Sequence, residues 1–69
     1  MKTVSFDDCH AEAESDNALL VHIPDVSDDA VWIPKSKKVL DREESEVQNK
    51  GDEGTLVIAE WFAIEKEWI

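Results

Sequence analysis

A small, mainly β domain of the α+β class is predicted: three to five antiparallel strands, as a small sheet or an open SH3- or OB-like barrel, with a short C-terminal helix. Three observations predict it. The apolar residues fall in short clusters, at 18–23, 30–34, 55–64 and 68–69, separated by polar stretches that suit turns. Residues 18–23 and 55–59 alternate with a period of two. Residues 60–69 abandon that period for a helical one. A chain of 69 residues holds one domain, 1–69, which buries a modest share of its surface.

The elements follow in order. Residues 2–6 suit a short strand with Val4 and Phe6 on one face. Residues 7–17 carry Asp7, Asp8, Glu12, Glu14 and Asp16 with no basic residue and read as a solvated edge or a loosely ordered acidic arm; the Ala11–Glu14 portion suits strand or helix. Residues 18–23 form the clearest strand, with Leu19, Val21 and Ile23 facing one way and Ala18, Leu20 and His22 the other. Pro24 ends ladder donation, and residues 24–29 have hairpin-loop length before a second strand at 30–34, stopped by Pro34. In residues 35–54 the anchors are Val39, Leu40 and Val47; Ser36 and Asp41 are placed to cap single helical turns, and Gly51–Gly54 reads as a tight turn. Residues 55–59 are the third strong strand, with Leu56 and Ile58 on one face. Trp61, Ile64 and Trp68, at i, i+3 and i+7, predict a C-terminal helix that buries them over the sheet.

Charge narrows the function. The chain has 17 acidic and 7 basic residues, for a net charge of −10. Such a field repels nucleic acid and anionic membranes and attracts basic protein surfaces. No charge-free apolar run approaches the ~20 residues of a membrane span, and the N-terminus lacks a secretory pattern, so an intracellular protein is expected. One cysteine, Cys9, leaves no internal disulfide.

Candidate chemistry is thin. Cys9, His10 and His22 lack the paired spacing of a structural zinc site, so no metal or other cofactor is expected. Cys9 beside His10 does not make a nucleophile and base without a third group and a pocket, so no enzyme is expected. Asp25–Asp29 lacks the glycine and terminal glutamate of a calcium loop, and Gly51–Gly54 lacks the lysine of a phosphate cradle. Lys35, Lys37, Lys38 and Arg42 form one basic cluster, opposed by the acidic remainder; it reads as solvated charge that also orients a partner. Trp32 alternates with Val31 and Ile33, so either a second layer or a partner covers one of the two faces.

Ala18-Leu19-Leu20-Val21-His22-Ile23, Val31-Trp32-Ile33-Pro34-Lys35-Ser36, Glu44-Ser45-Glu46-Val47, Gly51-Asp52-Glu53-Gly54-Thr55-Leu56-Val57-Ile58 and Glu60-Trp61 together resemble a family of small hypothetical proteins of bacteriophages and mobile elements. The resemblance spans residues 18–66, and Trp32-Ile33-Pro34-Lys35-Ser36 is its most specific part. The chain departs from that family in its longer, more acidic hairpin loop and in its Lys66-Glu67-Trp68-Ile69 end. The resemblance implies a phage context and the host cytoplasm, and supplies no catalytic residues. By size and charge the chain is also similar to anti-CRISPR and other anti-defence inhibitors.

The resulting expectation is a non-enzymatic DNA-mimic-like inhibitor of a host nucleic-acid-binding complex, placing carboxylates where phosphates sit. Its partner-binding residues are Asp25, Asp28 and Asp29 on one loop and Glu43, Glu44, Glu46, Asp52 and Glu53 on another, together forming a continuous acidic face. The alternative is an accessory subunit that docks or forms a homodimer through its aromatic C-terminus.

Overall fold

The computed structural model describes residues 2–69. Four strands, β1 (Thr3–Glu14), β2 (Ala18–His22), β3 (Val31–Pro34) and β4 (Glu53–Ala59), form one antiparallel sheet in the order β3-β2-β1-β4, and β4 runs directly into the helix α1 (Glu60–Glu65). The sheet stays open and does not close into a barrel.

The segment expected as an acidic arm instead supplies most of a central strand, paired with β2 on one side and β4 on the other. Two bulges make this fit. Val4 and Phe6 face the core, and strict alternation would next bring Asp8, His10 and Glu12 inward. A bulge between Phe6 and Cys9, with Asp8 at φ 59°, shifts the phase by one, so Cys9 and Ala11 point inward. A second irregularity, between Ala11 and Ala13, returns Ala13 to the open face opposite Leu20. β2 and β3 follow the alternation read from their residues: Leu19, Val21 and Ile33 are fully buried, whereas Trp32 is 52% exposed on the other face.

Residues 36–47 lie along the outer edge of β4. Ala59 N–H donates to Val39 O at 2.7 Å, Asp41 N–H to Val57 O at 3.0 Å and Glu46 N–H to Thr55 O at 2.8 Å, so β4 has no open edge there. Val39, Leu40 and Val47 are the buried anchors of this segment, as expected. Ser36 and Asp41 do start single turns: Ser36 Oγ accepts from Lys38 N–H, and Asp41 Oδ1 accepts from Glu43 and Glu44 N–H. The expected Gly51–Gly54 turn sits earlier. Gly51, at φ 91°, belongs to a turn closed by Asp52 N–H to Asn49 O, whereas Glu53 and Gly54 already belong to β4.

α1 is also shorter than expected and buries a different face. Phe62 and Ala63 are buried, while Trp61 and Ile64 are about half exposed, at 49% and 55%. Glu67, at φ 62°, reverses the chain, with Trp68 N–H donating to Ala63 O at 2.9 Å and Glu67 N–H to Ile64 O at 3.0 Å. The reversal folds Trp68 back so that its ring meets Phe6 and Phe62 edge-on, at centroid distances of 6.3 and 5.8 Å. Trp68 therefore reaches the core through a turn, not through a helical face. The core lies on one side of the sheet under α1 and residues 36–47; the other side is open.

Candidate docking surface

Two faces of the molecule carry exposed chemistry. The first is the end of the sheet where β1 bulges. His10 pairs with His22, so the chain beyond β2 runs on beside Cys9, Asp8 and Asp7, and the β2–β3 loop lies near them. The electrostatics report the same closeness: burial pushes the Cys9 thiol up to about 11, and the charges of Asp25, Asp7 and Asp8 add to that shift. On the other flank, Thr55 Oγ1 donates to Asp7 Oδ1 at 3.0 Å, and Thr55 N–H donates to Glu46 Oε1 at 3.0 Å. Glu53 completes the group, lining a shallow hollow of about 400 Å³ with Asp8, His10 and Gly54. Asp7, Asp8, Asp25, Glu46 and Glu53 thus come from two strands and two loops.

This grouping differs from the one expected. Asp25, Asp28 and Asp29 are exposed on the β2–β3 loop. That loop is anchored by Val26, which packs on the core, and by Val26 and Ser27 N–H donating to Ile23 O. Glu46 and Glu53 join Asp25 only through Asp7 and Asp8, which the sequence reading left out. Their signal was the pair of adjacent aspartates placed where the apolar alternation changes phase. Glu43 and Glu44 are exposed on a different turn, and Glu43 shares a cleft of about 270 Å³ with Lys37, Leu40, Asp41 and Arg42, so its charge stands among cations. Asp52 is half-buried and occupied within its own turn, where Oδ2 accepts from Gln48 and Asn49 N–H at 3.1 and 2.9 Å. The two loops therefore do not form one continuous acidic face through all eight residues.

Cys9 and His10 point to opposite sides of β1; Cys9 is buried with Sγ 3.3 Å from Phe6 O, and His10 is half-exposed. Among the described residues, no group of three His, Cys, Asp or Glu side chains is placed to hold a metal ion. No helix among them is long and apolar enough to cross a membrane.

The second face is apolar. Trp61, Ile64 and Ile69 are exposed near the C-terminus, and Trp61 is held by Nε1–H donating to Lys38 O at 3.0 Å. No protein-family model matches the chain, and no curated protein or solved structure matches it either.

Proposed function

We propose that this protein is a non-enzymatic, phage-type acidic interaction protein that acts in the host cytoplasm, inhibiting or modulating a host nucleic-acid-binding complex as a DNA mimic does. The observation that supports it most is the convergence of Asp7, Asp8 and Asp25 with Glu46 and Glu53 at the bulged end of the sheet. Carboxylates fixed on a hydrogen-bonded scaffold present charge at set spacings, as a phosphate backbone does. A basic groove gains both attraction and orientation from them. Glu43 and Glu44, beside Lys37 and Arg42, contribute less to this field.

The test is capture from bacterial lysate on the immobilised protein at low and high salt, followed by titration of the captured complex. Charge-driven binding falls steeply as ionic strength shortens the screening length from about 30 Å at 0.01 M to 3 Å at 1 M. Asp7, Asp8 and Asp25 replaced together by Asn should remove it. Binding that survives this variant overturns the reading.

A second reading rests on a different observation, the exposure of Trp61, Ile64 and Ile69. An accessory subunit would dock or dimerise through that patch. Its mark is binding that ignores salt and disappears with Trp61→Ala.

A further inference from the structure

One edge of the sheet is covered and the other is not. Residues 36–47 bond along β4, whereas β3 is the outermost strand on the far side and, among the described residues, pairs with β2 alone. Lys35 N–H donates to Asn17 O, continuing the register in which Pro34 faces Ala18, Ile33 faces Leu19 and Trp32 faces Leu20. Hydrogen-bonded pairs alternate along an antiparallel ladder, so Ile33 and Val31 bond to β2 as Lys35 does. Trp32 N–H and C=O therefore point away from β2. Among the described residues, no turn or loop backbone group meets them. Pro34 is in phase with Trp32, so its missing N–H costs the β2 ladder nothing.

The side chains beside this edge are apolar. Ala13 on β1, Leu20 on β2 and Trp32 on β3 are direct cross-strand partners and form a row across the open face. Trp32 ends the row at the edge, 52% exposed. Asp28 and Asp29 stand exposed just before the strand.

We propose, resting on the basic partner of the preceding section, that this edge takes an extended segment of that partner as an added strand, bonded through the main chain of Trp32. An added strand lies about 4.7–4.9 Å from its neighbour. An apolar side chain opposite Trp32 then continues the row from Ala13 and Leu20. Asp29 lies about 10 Å along the strand from Trp32. A lysine or arginine at the matching distance from the apolar residue faces Asp29, and the next faces Asp28. Charge decides between occupants: at −10, a second copy of this chain is repelled and a basic segment is attracted. Pro34 and the short length of β3 hold the contact to one register. Main-chain bonds supply affinity there, and Trp32 with the two aspartates supplies specificity.

The test is amide NMR of the full chain titrated with a capped synthetic peptide, a valine–threonine body of high strand propensity ending in lysines. Trp32 N–H should exchange freely without peptide and become protected with it, and the largest shifts should fall on Val31, Trp32 and Ile33. The same peptide N-methylated at alternate amides keeps its charge, cannot pair, and should not bind. Trp32→Pro should abolish binding and keep the β2–β3 ladder, to which the Trp32 N–H does not belong; Trp32→Phe should retain most of it. Asp28→Asn with Asp29→Asn should weaken binding severalfold. No binding, or equal binding of the N-methylated peptide, would overturn the proposal. So would self-association with Trp32 N–H protected before any peptide is added, which gives the edge to a second copy. Shifts confined to Asp7, Asp8, Asp25, Glu46 and Glu53 would overturn it too, leaving recognition by the acidic end standing. Pairing at β3 without salt-dependent capture from lysate would support the edge and fail the acidic end.

Discussion

Lys35 Nζ lies 2.8 Å from Glu14 Oε2, an ion pair that ties the end of β3 to the end of β1 across the intervening β2. The other oxygen of the same carboxylate accepts from Lys50 N–H at 3.2 Å, so Glu14 also holds the turn that leads into β4. An acid that the sequence assigned to a solvated arm is thus a junction between three segments. Its charge is also matched by Lys35, which removes it from the displayed acidic surface.

Glu14 should therefore matter to folding. The Lys35 hydrogen bond, then that of Lys50, holds its carboxyl below the usual carboxylate range. A depressed folded-state value stabilises the protein above the unfolded carboxylate range, about 4.3 for glutamate, and that contribution is lost as pH falls through the folded value. Urea midpoints measured across the acid limb should fall more steeply for the wild type than for Glu14→Gln. At neutral pH the variant should melt a few degrees lower.

Glu67 occupies a left-handed position that ordinarily belongs to glycine. The strain is tolerated because the turn delivers Trp68 to Phe6 and Phe62. Glu67→Gly should stabilise the protein by about 0.5–1 kcal/mol, less than the full left-handed penalty because glycine loses more chain entropy. A gain of that size raises the melting temperature of a domain this small by several degrees. The reverse holds at Gly54, at φ 132°, where an added Cβ would lie 2.7 Å from Glu46 Oε1. Gly54→Ala should cost about 1–3 kcal/mol by thermal melting.

These turns show what was legible in the chain. β2, β3 and most of β4 were readable because Leu19, Val21, Ile33, Leu56 and Ile58 keep an uninterrupted two-residue period. β1 was readable only over its first residues, where Val4 and Phe6 share a face, because the first bulge then places Phe6 and Cys9, three apart, on the same side. The helix face was misread because Trp68 lies beyond the helix, where a left-handed Glu67 breaks the i, i+7 relation. The acidic loops were identified, but which carboxylates meet depends on strand register. Asp7 and Asp8 entered the surface because they form the bulge of β1 beside β4, and Asp52 left it by closing a local turn.

Cys9 gives a chemical check on this packing. Its thiol is buried, and burial together with Asp25, Asp7 and Asp8 raises it to about 11. Since the thiolate is the reactive form, native protein should resist iodoacetamide at neutral pH and react at the ordinary rate in urea. A raised folded value also means stability present below the unfolded thiol range, near 8.5, and lost as pH rises toward 11. Cys9→Ala should flatten the alkaline limb of the stability profile, even if the smaller side chain lowers the neutral-pH value.

The tryptophans separate folding from docking. Trp68 is half-buried, packed on the core and in edge contact with two phenylalanines, so Trp68→Ala should cost about 2–4 kcal/mol, toward the range of buried aromatic truncations. Loss of binding in that variant would therefore reflect a loosened fold. Trp61 is half-exposed, and its indole makes one hydrogen bond to Lys38 O, worth about 1 kcal/mol. Trp61→Phe removes that bond while keeping an aromatic surface; Trp61→Ala removes both. If the C-terminal patch docks a partner, Trp61→Ala should abolish capture while the melting temperature falls only slightly, and Trp61→Phe should retain most of it. If the acidic end carries recognition instead, both variants should bind as the wild type does, with an undiminished dependence on salt.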